Sequence, residues 1–519
     1  MSDKQTGEKE YMNKKRIAIN MTAQLLAFSV NMLLGFILVP IIDTMIPNAY
    51  GFTDIANKFV QAAQIVVSAL NTMASRFITI HIHRNDREEA NQYFSSVFFA
   101  NVLMAVVFMV PAMFVVVYLG HIFQIPAGAS LPDIQMLFFF IFLNFLISII
   151  TSVFSVAAYS KDRLELSSVA TILGEVIRLT FLLVAYVFFR PYLWYVGCAS
   201  VASTVIQAIA NLIFTRKLLA EVSLKRSYFR WSKVKELVSL GAWNSVTRLG
   251  QLLLDGLSTS IANIMISAAA MTTISISNQV PTVISNLMGT IAGVFNPQMT
   301  IAYARDDKKQ LLEIIESADR IMIFIISIPI AFMTVFGKSF FKLWIGKTQD
   351  PNELYILALL NVGTLFVSAS IQVLYHVFLI TKRVKLNSVV ILLSGVLTTA
   401  TVFVLLETTN LGMYAIVGVS TFYGILRNLV FTPIYAARCL KVKWYTFYGD
   451  ILLGLVSIGA VCLVALPFEL LVEIDGWIKL FAVGIVAGIL ALAVNFLVVL
   501  RKGERQMVLD MVKRKLHRK

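Results

Sequence analysis

Charge is scarce in this chain. Of 519 residues, 14% are Asp, Glu, Lys or Arg and 58% are hydrophobic, with a mean hydropathy of +0.79. So small a charged fraction excludes a soluble protein of two or three domains and leaves an all-α polytopic membrane protein. Cysteine is scarcer still. Cys198, Cys439 and Cys462 form no CxxC or paired spacing, which argues against a disulfide framework or a structural zinc site. No Walker, nucleophile-elbow or HExxH motif occurs, so neither catalytic residues, a cofactor nor ATP-driven transport by this chain is expected. The "HIH" at 81–83 has no third ligand nearby, and a solvated loop is favoured there over a metal site.

What is abundant is apolar length. Windows of about 20 apolar residues fall near 17–42, 51–79, 93–120, 133–158, 165–189, 192–214, 237–266, 271–300, 318–337, 353–380, 386–406, 412–436, 447–467 and 477–500, which predicts fourteen spans. The first follows "KKR" without a small-residue cleavage site and reads as a retained signal anchor. Basic residues collect in the tail 1–16 and in "HIHRNDR", "SKDR", "RKLLAEVSLKRSYFRWSKVK", "RDDKK", "KRVK", "RCLKVK" and the C-tail 501–519. The opposite connections contribute Arg190, Lys338, Lys342 and Lys347. This asymmetry places both termini in the cytoplasm of a cell (inner) membrane. The net charge of +15 is then an orientation signal with attraction to anionic lipid, and no nucleic-acid partner is implied.

A shift of 221 residues lays Gly35 on Gly256, Asn57 on Asn278, Arg84 on Arg305, Asp86 on Asp307, Lys161 on Lys382 and Gly197 on Gly418. Two parallel six-helix bundles follow, 17–214 and 237–440, related by a pseudo-twofold along the membrane normal. The linker 215–236 joins them, and two further spans occupy 441–500. Tyr228, Phe229 and Trp231 stand among basic residues in that linker, suiting a helix in the cytoplasmic interface, with a solvated loop as the alternative.

Polar residues inside the spans are not scattered. The second span carries Asp54, Asn57, Lys58, Gln61, Gln64, Ser68, Asn71 and Ser75. At about 100° per residue, all but Lys58 fall within roughly one 100° arc. The seventh places Asn244, Arg248, Gln251 and Asp255 on one face, with Arg248 near the midplane; the first adds Asn20, Gln24 and Asn31, and the eighth Ser275, Asn278, Thr282, Ser285 and Asn286. Lipid offers no hydrogen-bond partners, so the stripes face a hydrophilic cavity or glue helices together. Glu175 and Arg178 lie three apart on the fifth span and Arg427 midway along the twelfth. They read as structural charges or as coupling groups; Asp54, Asp255 and Glu175 are the candidates for coupling H+ or Na+.

With "VFNPQMTIAYARDDKKQLLEII" after the eighth span and "FGKSFFKLWIG" after the ninth, the whole chain resembles the polysaccharide flippase branch of the multidrug/oligosaccharidyl-lipid/polysaccharide (MOP) exporter superfamily. The resemblance implies an alternating-access cavity lined by spans 1, 2, 7 and 8. Its cargo would be a polyprenyl-diphosphate-linked glycan moved from the inner to the outer leaflet, beside membrane lipids, glycosyltransferases and a polysaccharide polymerase. Arg248, Arg76 and Lys58 would meet the diphosphate, and the last two spans would form a groove for the lipid tail. The first span lacks an arginine, which argues against lipid II itself. Three rivals remain: a drug or cation antiporter of the same superfamily, for which an acidic or aromatic cavity would be expected; a glycan polymerase or ligase, which needs a sizeable outer loop; and a membrane scaffold, which has no use for the stripes.

Overall fold

The computed structural model describes residues 29, 32, 35–37, 39–84, 86–126, 129–161, 163–501 and 505. Gln24 and Asn31 in the first span, the tail 1–16 and the C-tail apart from 501 and 505 lie outside the described residues, as does the side chain of Arg76.

Among the described residues every regular element is a helix, and ten helical stretches are long and apolar enough to cross a membrane. The first half contains α1 (Tyr50–His83), α2 (Arg87–Ile122), α3 (Leu131–Thr151), α4 (Val156–Ser160), α5 (Leu164–Phe188) and α6 (Trp194–Leu218). Then follow α7 (Trp231–Gln251), α8 (Ser258–Met265), α9 (Ala268–Ser277), α10 (Gln279–Ala304), α11 (Lys308–Ile345), α12 (Pro351–Ser368) and α13 (Leu374–Ile380). The chain closes with α14 (Val384–Thr408), α15 (Met413–Leu426), α16 (Thr432–Leu440), α17 (Tyr448–Leu471) and α18 (Trp477–Val498). The seventh, eighth and tenth apolar windows are helical but interrupted, by a π turn at Leu252–Gly256, at Asn278 and at 369–373. These breaks sit where polar residues concentrate, and freed carbonyls inside a membrane are tolerated only where side chains re-satisfy them.

The repeat is visible in the caps. Asp86 (φ −88°, ψ 81°) opens α2 and Asp307 (φ −86°, ψ 81°) opens α11. Their carboxylates accept the N–H of Glu89 at 3.2 Å and of Gln310 at 2.9 Å, each satisfying an orphan donor of the first turn. The broken span 131–160 matches 351–380, and α5 and α14 are both 25 residues long.

The chain forms two compact units, Met1–Leu252 with Thr259–Thr272, and Leu253–Ser258 with Thr273–Lys519. In unit 1, Leu70, Ala74 and Ile78 of α1, Tyr93, Phe94 and Val97 of α2, and Leu237 of α7 share one buried cluster. Both carboxylate oxygens of Asp133 on α3 accept backbone N–H groups at the start of α6, from Leu193 and Trp194 at 2.9 Å each. The segment Thr259–Thr272 is tied in by Gln124 and Asn263: the Gln124 N–H donates to Asn263 Oδ1 at 2.9 Å, and Asn263 Nδ2 donates to the Gln124 carbonyl at 3.2 Å. In unit 2, Asn495 of α18 donates to Ser327 Oγ at 2.7 Å and to the Phe324 carbonyl at 2.9 Å, and accepts from Ser457 at 2.8 Å. That polar knot fastens α17 and α18 to α11, where tail-like apolar packing alone gives little drive to associate.

The linker is not an interfacial helix. Between Leu218 and Trp231 it has one 3₁₀ turn, Arg226–Tyr228, and α2 side chains claim its backbone instead. The N–H groups of Ser223, Lys225 and Arg230 donate to Asn91 Oδ1, Ser95 Oγ and Ser96 Oγ at 2.7, 3.3 and 2.9 Å. Held this way, the segment has no intrahelical bonds to gain, and Trp231 becomes the first residue of α7.

Candidate functional site

The stripe on α1 divides in two. Toward Tyr50, Asn57, Gln61 and Gln64 are exposed, with Asp54 and Lys58 half-buried beside them. Asn57 Nδ2 donates to the Thr53 carbonyl at 2.9 Å, so part of its capacity is spent on its own helix. Toward His83 the polar groups serve packing. Asn101 Nδ2 on α2 donates to Asn71 Oδ1 at 3.1 Å and to Ser152 Oγ at 3.0 Å, beside the 3₁₀ turn Ser152–Ser155. Asn71 is helix glue, whereas the 57/61/64 face is open.

Helix α7 lies along α1 because two small residues let it. A Cβ on Gly241 would stand 2.6 Å from the Ala69 carbonyl carbon and 2.7 Å from its Cα. One turn on, Ser245 Oγ donates to the Ile65 carbonyl. With Ala69 opposite Gly241 and Ile65 opposite Ser245, the helices are antiparallel, and the register continues to bring Gln61 level with Leu249 and Lys58 level with Leu252. Arg248 and Gln251 are exposed and Asn244 is half-buried. Arg248 and Gln61 therefore occupy the same height in unit 1, and Arg248 is midway along the interrupted span 231–265.

Two sequence-predicted charges sit on π turns, a geometry that recurs at functional sites. In unit 2, Asp255 belongs to Leu252–Gly256. Hydroxyls take the carbonyls around that turn: Thr399 on Leu253 at 2.9 Å, Ser420 on Leu254 at 2.9 Å and Ser258 on Asp255 at 2.8 Å. Ser420 Oγ also lies within hydrogen-bond distance of Asp255 Oδ1, and the Asp255 side chain remains exposed. Arg427 opens the second π turn, Arg427–Phe431. Its Nε donates to Asn428 Oδ1 at 3.3 Å, Tyr375 donates to the same oxygen at 2.8 Å, and Asn428 Nδ2 donates to Ser368 Oγ at 2.8 Å. Arg427 is thus built into a buried network. Asn278 is half-buried at the break between α9 and α10. Beyond it, Thr282, Ser285, Asn286, Gly289 and Gly293 give α10 an exposed face, and a Cβ on either glycine would meet nothing within 4 Å.

Within unit 1 a polar cavity of about 240 Å³ opens among α1, α3, α5 and α6. Glu175, buried and midway along α5, accepts from Arg178 Nη1 at 3.3 Å on its wall. Thr53 and Asn57 line it from α1, Asn144 from α3, and Ser203 and Gln207 from α6. Sequence reasoning missed Thr53, Asn144, Ser203 and Gln207. The last two, with Ser200 and Thr204, recur at helical spacing and were a readable signal; Asn144 stands alone in an otherwise apolar window and was not.

A protein-family model described as "Polysaccharide biosynthesis protein" matches residues 17–302. The chain belongs to the polysaccharide biosynthesis protein family. The "Uncharacterized membrane protein EpsK" of Bacillus subtilis (strain 168) is 27% identical over 495 residues, spanning 95% of this chain and 97% of that protein. Among solved structures, the inward-facing conformation of a multidrug resistance MATE family transporter of the MOP superfamily aligns with a TM-score of 0.60 at 13% identity, over 82% of this chain and 97% of that one. Its outward-facing counterpart aligns at 0.59 and 13%, over 83% and 97%. A MOP superfamily transporter from Pyrococcus furiosus, described as having a binding pocket of reverse polarity, aligns at 0.57 and 13%, over 86% and 96%. At such identities the likeness is one of fold. This member of the polysaccharide biosynthesis family is a multi-pass membrane protein with a fold like that of the solved MATE family structures.

Proposed function

We propose that the protein is a flippase carrying a polyprenyl-diphosphate-linked oligosaccharide from the inner to the outer leaflet of the cytoplasmic membrane by alternating access, with both termini in the cytoplasm. The observation that carries this reading is that Arg248 and Gln251 of α7 and Asn57, Gln61 and Gln64 of α1 are exposed inside membrane-length helices, with Arg248 midway along the span 231–265 and level with Gln61. Such groups are not left against hydrocarbon. A guanidinium suits a diphosphate, and amides replace the water that sugar hydroxyls must shed. Asn244 and Lys58 complete the unit 1 face on this reading, with Gln24, Asn31 and Arg76, and Asn278 is the amide that unit 2 offers. The polyprenyl chain stays in lipid, beside α17 and α18. A coupling ion, H+ or Na+, needs to bind one state more tightly than the other; Asp54 and Asp255 are its candidate carboxylates, while Glu175 already has Arg178. Glycosyltransferases and a polymerase supply and consume the cargo.

The test is lipid extraction from cells lacking the protein, complemented with wild type or Arg248→Glu. Accumulation of one undecaprenyl-diphosphate oligosaccharide, relieved by wild type alone, is expected. Normal glycan export by a well-expressed Arg248→Glu variant would sink the anion-site assignment. An unchanged lipid-linked pool with altered sensitivity to cationic drugs would make the protein an antiporter.

A further inference from the structure

We propose that the cavity inside unit 1 is a sugar subsite, taking one neutral, hydroxyl-rich ring of the transported glycan; the inference rests on the flippase reading above. Three of its lining residues each carry a buried polar atom with no hydrogen-bond partner among the described residues: Thr53 Oγ1, Asn144 Oδ1 and Arg178 Nε. Buried polar groups are ordinarily paired, so three orphans on one cavity mark a place where something else completes them. They comprise a donor, an acceptor and a hydroxyl that is both, which is the complement a sugar ring presents with its own hydroxyls and ring oxygen.

Charge narrows the occupant. Glu175 and Arg178 neutralise each other at 3.3 Å, so an anion meets the carboxylate and a cation meets the guanidinium. An apolar group would bury the orphans unsatisfied, at a cost in affinity. A neutral molecule with alternating donors and acceptors meets no such penalty. Size agrees: about 240 Å³ is room for some eight waters at roughly 30 Å³ each, below the roughly 300–1,000 Å³ of drug-sized sites. Asn57 both lines the cavity and is exposed, so the space is reachable from the open face of α1.

The experiment uses full-length protein in lipid nanodiscs and measures binding of undecaprenyl diphosphate and of undecaprenyl-diphospho-glucose, -galactose and -N-acetylglucosamine. At least one sugar-bearing lipid is expected to bind about tenfold more tightly than the bare diphosphate, the effect of two or so added neutral hydrogen bonds. In the Thr53→Val, Asn144→Leu double variant that ratio falls to about one. Because Thr53 Oγ1 and Asn144 Oδ1 have no partner within the described protein, the variant melts within a few degrees of wild type, which separates lost recognition from lost folding. A ratio near one for all three sugars in wild type, with the bare diphosphate still bound, overturns the subsite, makes the cavity a hydrated space and leaves the flippase reading standing. A preference that survives the double variant also overturns it. If no diphosphate lipid binds at all, the flippase reading fails and the subsite with it.

Discussion

Replacing Gly241 by alanine drives one methyl group into the backbone of α1. The added Cβ stands 2.6 Å from the Ala69 carbonyl carbon and 2.7 Å from its Cα, closest of all to the carbonyl oxygen. None of these belongs to a flexible side chain. Reaching ordinary contact at 3.4 Å with that oxygen requires α1 and α7 to part by about 1.4 Å or to tilt, since neither can rotate its backbone out of the way. The separation also strains the Ser245 bond to the Ile65 carbonyl, one turn away. Overpacking costs about 1–3 kcal/mol and the weakened hydrogen bond about 1 more, a total of about 2–4 kcal/mol. For a unit near 250 residues this lowers the melting temperature by about 5–10 °C. Thermal unfolding of the full-length protein in nanodiscs reads it directly. Gly289→Ala and Gly293→Ala are the controls, because nothing lies within 4 Å of either added methyl; they are expected to match or exceed wild type through helix propensity. If Gly241→Ala melts with wild type and its controls, the close crossing of α1 and α7 is wrong.

Two further substitutions test buried carboxylates. Asp133→Asn replaces one of the two acceptors beneath the Leu193 and Trp194 N–H groups with a donor, and is expected to destabilise by about 1–3 kcal/mol. Hydrogen exchange should quicken at those two amides, and unchanged protection there would refute the capping role. Asp319 of α11 is fully buried, both its oxygens lack partners among the described residues, and Asp450 and Glu316 are its acidic neighbours. Asp319→Asn is therefore expected to raise the melting temperature. A fall would mean that the carboxylate serves a role that stability alone does not reveal.

The spans were legible because hydrocarbon thickness dictates their length and leaves little choice of side chain. Where a span breaks was not legible. The π turn at Leu252–Gly256 is sustained by Thr399 and Ser420, on helices far along the chain, and no local pattern announces that partnership. The polar stripe on α1 was plain, but its division was not: Asn71 is consumed by Asn101 and Ser152, whereas Asn57, Gln61 and Gln64 stay open. The linker misled for a similar reason. Its aromatic and basic composition suited a surface helix, while Asn91, Ser95 and Ser96, buried in the first turns of α2, had already claimed its backbone. The Glu175–Arg178 pair, a purely local i, i+3 relation, needed no tertiary knowledge.

A duplicated fold holds a spare of every position, and only one copy has to keep its chemistry. The shift of 221 residues puts Glu175 on Val396 and Arg178 on Thr399. One stretch thus carries an ion pair where the other carries a valine and a threonine. Where two stretches share a pattern of helices, the polar wall of one can be retuned, residue by residue, without the other having to follow.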